Sequence, residues 1–181
     1  MGRDKAEIQI GGESLWRRQF GVLAAAGASP VVLVRRPGQS APEGAECWRD
    51  GRPAAGPLTG LETALAPRRD SWIGVLAIDL PDIDAGWFLW LRGFCRPGSG
   101  AAARRGRFCE PLAAIYPAEA LPEVSARLDR RELSAQELVH ALAADGRMTL
   151  VDLPAAEEVR LRNLNTPEEL AAWKRSMQIK D

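Results

Sequence analysis

A carboxylate at the end of a buried strand is the first candidate for chemistry. Residues 72–78 are an apolar run that predicts a strand, Asp79 follows it directly, and Pro81 prevents the strand from continuing. Ligands of open α/β sheets bind outside the carboxyl ends of the strands, and a carboxylate there suits Mg²⁺, which prefers oxygen ligands. From position alone, an Asp that only caps the next turn is an equally good interpretation.

A lysine and a turn could supply contacts to phosphate groups. The ammonium of Lys5 carries three N–H donors and a positive charge, which suit a transferring phosphoryl group, although a lysine near a terminus is ordinarily just solvated. Asp50 lies six residues before Gly56 and, taken alone, forms an Asp-Gly turn. Gly56 permits close approach of the backbone, and the helix predicted to begin there presents unpaired N–H groups.

Two asparagines stand before the last predicted helix. Asn163 and Asn165 precede Thr166 and Pro167, which are typical of the N-cap and the first position of a helix. The structural interpretation is strong, because Asn and Thr shape such turns by hydrogen bonding to nearby backbone. Contact of either amide with a ligand is the second interpretation.

The elements that must position these residues alternate between helices and strands. Helices are predicted over residues 13–26, 56–66, 85–94, 121–130, 135–144 and 166–177, and strands over 30–34, 72–78, 111–116 and 149–153. Residues 96–106 hold three Gly, one Pro and three Arg, which predicts a loop. The alternation predicts a single α/β domain over residues 1–181 with a mainly parallel sheet.

Composition excludes several classes of function. Lys plus Arg and Asp plus Glu both total 24, so no global basic field favours nucleic acid or an anionic membrane. Three widely spaced cysteines argue against a disulfide framework and a zinc site, which predicts a cytoplasmic protein. His140 is the sole histidine and lies in a helical pattern, which argues against histidine-based triads. Neither a membrane span nor a signal peptide is predicted.

Taken together in order, the motifs resemble one family. The stretches are Met-Gly-Arg-Asp-Lys-Ala at residues 1–6, Asp50 with Gly-Pro-Leu-Thr-Gly at 56–60, Ile-Asp-Leu-Pro at 78–81, Glu-Pro-Leu-Ala-Ala-Ile-Tyr at 110–116, and Asn-Leu-Asn-Thr-Pro at 163–167. They are similar to motifs of the molybdenum cofactor guanylyltransferases. Each match is weak by itself, but their order and spacing cover almost the whole chain.

This resemblance implies a fold and an activity. The fold is of the nucleotide-diphospho-sugar transferase type, a Rossmann-like mainly parallel sheet with helices on both faces. The activity is a Mg²⁺-dependent transfer of GMP from GTP to molybdopterin with release of pyrophosphate. The implied ligands are GTP and molybdopterin, with transient contact to other proteins of the cofactor pathway, and neither nucleic acid nor membrane.

The resemblance also implies roles for individual residues. Asp79 would bind the metal, and Lys5 would meet the nucleotide phosphates as the second catalytic residue. The implied nucleotide site comprises Lys5, Asp50, Gly56, Asp79, Asn163 and Asn165. One departure concerns the second strand, after which the family often carries an Asn near the nucleotide. Arg35 and Arg36 occupy that neighbourhood here.

A second departure concerns the start of the chain. In the family, a strand and a Gly-rich loop precede the Met-Gly-x-Asp-Lys motif, whereas this sequence opens at that Met. The first strand is therefore predicted to be missing from the chain, which would leave a gap in the sheet between the strands that end at Val34 and at Asp79. A start assigned too late is the simpler explanation, and a degenerate protein is the alternative.

Two other functions stay open at this point. One is a cytidylyltransferase that acts on a pterin or another small phosphate, because such enzymes share most of the pattern. The other is a catalytically impaired remnant that binds a partner of the cofactor pathway.

Overall fold

The molecule consists of a five-stranded sheet covered by helices and of two smaller strand pairs. The computed structural model describes residues 4–52, 56–67 and 71–178. The helices are α1 (Leu15–Ala25), α2 (Pro57–Leu65), α3 (Ala85–Arg92), α4 (Leu121–Arg130), α5 (Ala135–Ala144) and α6 (Pro167–Gln178). The strands are β1 (Gln9–Ile10), β2 (Glu13–Ser14), β3 (Leu33–Arg35), β4 (Cys47–Arg49), β5 (Trp72–Leu76), β6 (Gly100–Arg105), β7 (Phe108–Cys109), β8 (Ala113–Pro117) and β9 (Met148–Asp152). Short 3₁₀ segments cover Lys5–Glu7, Ala118–Ala120 and Ala155–Leu161.

The large sheet is mixed, which corrects the expectation of a mainly parallel sheet. β8 runs antiparallel to both β5 and β6, β7 runs antiparallel to β6, and β9 runs parallel to β6. Consequently β5, β6 and β9 point the same way, and β7 and β8 point the opposite way. The physical reason lies in the connections between β6, β7 and β8, which are too short for the crossover that a parallel pair needs.

The predicted loop at residues 96–106 is also corrected, because β6 occupies most of it. Ala101, Ala102 and Ala103 are completely buried in this strand. Glycine and arginine at both ends suggested a turn, but the small side chains between them let helices pack closely on either face. The six predicted helices and the four predicted strands are confirmed, although most of their ends are shifted. None of the described helices is long and apolar enough to cross a membrane.

Helices cover both faces of the large sheet, as the resemblance implied. Ala102 and Tyr116 belong to a core cluster with residues of α2, α4 and α5. Ala101 and Ile115 belong to a second cluster with residues of α3 and, at its edge, α1. Because successive residues of a strand point to opposite faces, this division assigns one helical layer to each side of the sheet.

A gap separates β3 from β5. Among the described residues, β3 pairs with no strand but β4, in parallel, and β5 pairs with no strand but β8. A cavity of about 860 Å³ lies between the two strands, and Leu23 of α1 and Leu61 of α2 contribute to its lining. The expected gap is therefore present at this place, whereas the absence of a first strand stays a prediction.

The close approach of β6 to β8 generates a stability prediction at Gly100. A Cβ added there would lie 1.9 Å from the carbonyl oxygen of Ile115, which is backbone and cannot rotate away. Gly100→Ala should therefore force the strands apart and lower the free energy of unfolding by about 2–3 kcal/mol, the upper part of the usual range for overpacking. Urea denaturation measures this difference.

Gly21 supplies the matched control. It lies in α1, and a Cβ there would meet nothing within 4 Å. Gly21→Ala should leave stability unchanged or raise it by up to about 1 kcal/mol, because alanine favours the helix. Equal stability of the Gly100→Ala variant and the wild type would contradict the close approach.

Candidate active site

The turn after β5 is held rigidly from two directions. Gln19 of α1 is 2% exposed, and its side-chain amide donates to the carbonyl oxygens of Ala77 at 3.0 Å and Leu80 at 2.9 Å. From the other side, the backbone N–H of Leu164 donates to the carbonyl oxygen of Asp79 at 2.9 Å. These bonds fix the backbone at Asp79, so the direction of its carboxylate is set by the fold.

Three of the residues predicted for the site meet at one point. The Nζ atom of Lys5 lies 3.2 Å from Oδ2 of Asp79 and 2.9 Å from Oδ1 of Asn165. The side chains of Lys5 and Asp79 are 34% and 26% exposed, so solvent and a ligand can reach both. A single cation therefore lies between two oxygen acceptors at the carboxyl end of β5.

The segment that carries Lys5 is fixed through Asp4. The carboxylate of Asp4 accepts from the N–H of Ala6 at 3.0 Å and so caps the 3₁₀ segment Lys5–Glu7. It also forms an ion pair with the guanidinium of Arg35 at the end of β3. Burial raises the pKa of the Asp4 carboxyl, but the hydrogen bonds from Arg35 and Ala6 and the positive charge of Arg35 together outweigh burial and bring this pKa below its ordinary value.

Asn165 is placed by a capping box. The carboxylate of Glu169 accepts from the N–H groups of Asn165 at 2.7 Å and Thr166 at 3.0 Å, and the hydroxyl of Thr166 accepts from the N–H of Glu169 at 3.1 Å. Asn163 is exposed, and within the described part of the chain its side chain makes no hydrogen bond to Lys5 or Asp79. The structure thus brings one of the two predicted asparagines to Lys5.

Asp50 and Gly56 line the same cavity as Lys5, but neither residue is hydrogen-bonded to Lys5 among the described residues. All three contribute to the lining of the cavity between β3 and β5. The carboxylate of Asp50 accepts from the hydroxyl of Thr59 at 3.1 Å and lies 3.4 Å from that of Thr63, both on α2. Gly56 precedes α2 with φ of 70°, a conformation that favours glycine. Asp50 therefore fixes α2 beside the cavity.

Glu110 is a further carboxyl group near Asp79. Burial raises the pKa of Glu110, the N–H of Leu112 opposes that rise, and the negative charge of Asp79 adds to it. Within the described residues, no group of three or more His, Cys, Asp or Glu side chains could hold a metal ion. The oxygen donors that converge are those of Asp79 and Asn165, which already face the Lys5 cation.

The sequence that carries this arrangement matches a known protein family. Residues 1–146 match the family model described as the MobA-like NTP transferase domain. The chain belongs to this family. Membership of this family makes the protein a nucleotidyltransferase, and the matched residues include the Lys5 segment, Asp50, Gly56 and Asp79. Met1, Gly2 and Arg3 of the opening motif lie outside the residues that the structure describes.

Similar proteins carry related names. A protein of Opitutus terrae named "Probable molybdenum cofactor guanylyltransferase" is 47% identical over 173 residues, which are 93% of this chain and 86% of the relative. A protein of Deinococcus radiodurans with the same name is 32% identical over 180 residues, which are 94% of this chain and 85% of the relative.

Two solved structures share the fold. Molybdopterin-guanine dinucleotide biosynthesis protein A from Archaeoglobus fulgidus superposes with a TM-score of 0.68 at 20% identity, over 98% of this chain and 92% of that protein. A 2-C-methyl-D-erythritol 4-phosphate cytidylyltransferase from Thermus thermophilus gives 0.69 at 17% identity, over 94% and 93% of the two chains. The fold is thus shared with a molybdopterin-guanine dinucleotide biosynthesis protein and with a cytidylyltransferase.

Three residues that lie around the site of this NTP transferase were not predicted from its sequence. Gln19 had a usable signal, because it is a polar residue among Leu15, Trp16 and Leu23 on the helix predicted over 13–26. Arg35 was noted only as a departure from the family pattern, and Glu110 only as the first residue of a strand motif. Their positions became evident only in three dimensions.

Proposed function

We propose that this NTP transferase moves GMP from GTP to the terminal phosphate of molybdopterin and releases pyrophosphate. The observation that carries the proposal is the Lys5 ammonium between Asp79 and Asn165, beside a cavity that Asp50 and Gly56 also line. The relatives named as guanylyltransferases support the choice of substrates. GTP is a cytoplasmic nucleotide, so the proposed enzyme works in the cytoplasm and meets other proteins of the cofactor pathway there.

The proposed reaction needs charge neutralisation and positioning more than a base. A phosphate oxygen of molybdopterin attacks the α-phosphorus of GTP, the bond from that phosphorus to the bridging oxygen breaks, and pyrophosphate takes the electron pair. The attacking phosphate is already ionised at neutral pH. The ammonium of Lys5 would bind phosphate oxygens and stabilise the negative charge that develops on the leaving group.

The donor set at the end of β5 fits a magnesium ion. The oxygens of Asp79 and Asn165 converge on a cation, namely the Lys5 ammonium, and both are hard donors. Mg²⁺ typically takes one or two carboxylates from the protein and its other ligands from phosphates and water, so a cluster of three acidic residues is not required. We infer that Asp79 is the metal ligand, and the bound ion would neutralise phosphate charge.

The nucleotide would occupy the end of the cavity where α2 begins. The first turn of α2 presents backbone N–H groups without intrahelical partners, and Gly56 leaves room for phosphate or ribose to approach them. Asp50 holds this helix and is proposed to contact the nucleotide through an oxygen lone pair that Thr59 and Thr63 leave free. Asn163, exposed near Asn165, is proposed as a further contact.

Replacing Asp79 by asparagine tests the metal ligand. Asp79→Asn keeps the shape of the side chain but removes its charge, so Mg²⁺-dependent release of pyrophosphate should fall by roughly 100-fold or more. The melting temperature should stay close to that of the wild type, because the carboxylate is partly exposed and its backbone is held by Gln19 and Leu164. The assay uses a chain extended before Met1 by the strand and Gly-rich loop proposed below, with GTP, molybdopterin and either Mg²⁺ or a chelator.

Asp152 offers the matched control for this substitution. It is the last residue of β9, and its 78% exposed side chain pairs with Arg104. Asp152→Asn should retain near-normal turnover. Undiminished turnover of the Asp79→Asn variant would remove Asp79 from the mechanism.

The nucleotide that the protein prefers can be identified from the rise in melting temperature that each nucleotide causes. A ligand that binds only the folded protein raises its melting temperature, so in the extended chain GTP should give a larger rise than CTP or ATP at equal concentration. Lys5→Ala should reduce the rise with GTP, because a phosphate contact is lost. Greater protection by CTP would assign the protein to the cytidylyltransferases, whose fold it equally shares.

We also propose that a β-strand fills the gap between β3 and β5 in the working enzyme. Both strands present an unpaired edge to the cavity among the described residues, and unpaired backbone groups are costly when buried. A strand followed by a Gly-rich loop, placed before Met1, would pair with both edges and return to Lys5. The completed sheet would then be Rossmann-like, with β3, the added strand and β5 parallel.

A comparison of two chains tests the added strand. Residues 1–181 should bind GTP weakly and transfer no GMP, because backbone N–H groups of a Gly-rich loop normally hold the phosphates. An extended chain, which carries a strand and a Gly-rich loop encoded directly upstream of Met1, should bind GTP and restore transfer. Calorimetry measures the affinity. Micromolar binding and transfer by residues 1–181 would overturn the proposal, whereas inactivity of both chains would favour a remnant.

A further inference from the structure

Arg35 is a buried charge at the edge of the proposed site. Its side chain is only 6% exposed at the carboxyl end of β3. The guanidinium donates to Oδ1 of Asp4 at 3.2 Å, to Oδ2 of the same carboxylate, and to the carbonyl oxygen of Ser40 at 2.7 Å. Its Nε atom is buried without a hydrogen-bond partner among the described residues. Burial of an arginine is costly unless the charge is paired, so the contact with Asp4 determines where this guanidinium lies.

Lys5, which follows Asp4 in the chain, is bound on the opposite side of the gap. Asp4 is held by Arg35 on β3, and Lys5 is held by Asp79 beyond the end of β5. Consecutive Cα atoms are about 3.8 Å apart, so fixing the Asp4 carboxylate restricts the backbone of Lys5 as well. Asp4 also caps the 3₁₀ segment that Lys5 begins, which strengthens this coupling.

These two ion pairs form a continuous chain of charges across the gap. β3 and β5 share no hydrogen bonds within the described ranges, and the cavity separates them. The charges follow in the order Arg35, Asp4, Lys5 and Asp79, and their signs alternate. One ion pair joins Asp4 to the end of β3, and the other joins Lys5 to the turn after β5. The side of the site built on β3 is thus linked to the side built on β5.

We propose that Arg35 is a positioning residue of the transferase: by holding Asp4, it determines where the Lys5 ammonium lies relative to Asp79. This inference rests on the proposed function of Lys5. A guanidinium suits the task because its two terminal nitrogens can engage both oxygens of one carboxylate, which fixes orientation as well as distance. Lysine in its place would supply a charge without that orientation.

The position of Lys5 can be measured without any enzyme assay. The chain contains three lysines, Lys5, Lys174 and Lys180, so labelling lysine with ¹⁵N at Nζ gives few NMR signals, and Lys5→Arg identifies that of Lys5. In residues 1–181, Asp4→Asn and Arg35→Gln should both shift or broaden the Lys5 signal and leave that of Lys174 unchanged. Asp4→Asn is the safer variant for folding, because the Asp4 side chain is 31% exposed.

The control is the neighbouring Arg36, which is exposed. Arg36→Gln removes the same charge one residue away and should leave the Lys5 signal in place. An unchanged Lys5 signal in both Asp4→Asn and Arg35→Gln would overturn the proposal, whatever reaction the protein performs.

A double-mutant cycle in the extended chain separates positioning from direct contact. Asp4→Asn and Arg35→Gln should each lower kcat/KM for GTP by about 10- to 100-fold, the usual effect of a misplaced catalytic group. In a Lys5→Ala background they should cause no further loss, because their effect passes through Lys5. Arg35→Lys should restore only part of the activity.

The outcomes distinguish this proposal from the proposed function. An additive loss for Arg35→Gln in the Lys5→Ala background would mean that Arg35 contacts the nucleotide itself, and the proposal would be wrong. If the extended wild-type chain transfers no GMP, the proposed function fails, and the NMR arm still decides whether Arg35 sets the position of Lys5.

Discussion

The contact of the Lys5 ammonium with Asp79 and Asn165 is the interaction around which the site is organised. It joins residues that are 74 and 160 positions apart in the chain, at distances of 3.2 and 2.9 Å. Because these side chains are partly exposed, the contact adds little to stability. Its value is geometric, because it keeps a long, flexible cationic side chain beside a carboxylate at the end of a strand.

Each member of this contact is fixed by a different part of the fold. Gln19 and Leu164 hold the turn of Asp79, the capping box of Glu169 holds Asn165, and the ion pair of Arg35 with Asp4 holds the segment of Lys5. Flexible polar side chains become useful for catalysis only when neighbouring groups restrict them. The surrounding hydrogen bonds therefore matter to the site as much as the three contacting residues do.

The open edges of β3 and β5 place a second constraint on the molecule. Their edges, which no other strand pairs within the described residues, border a cavity that Leu23 and Leu61 also line. Within the described residues, the two sides of the site are linked by helices and by the charges of Asp4 and Lys5. An added strand would satisfy the backbone groups and tether Lys5 from its N-terminal side, so completion of the sheet and activity would be coupled.

The sequence by itself determined the family and the helices, because the order of short motifs and the periodicity of apolar residues are local properties. It also supplied the site candidates Lys5, Asp50, Gly56, Asp79, Asn163 and Asn165, whose roles stay predictions. It did not determine the mixed sheet or the strand inside residues 96–106, since the burial of Ala101, Ala102 and Ala103 depends on helices that pack on both faces of the sheet. Likewise, the convergence of Lys5, Asp79 and Asn165 and the support from Gln19 and Arg35 were decided only by tertiary structure. The reason is physical: a hydrogen bond between residues 160 positions apart leaves no pattern in either local stretch.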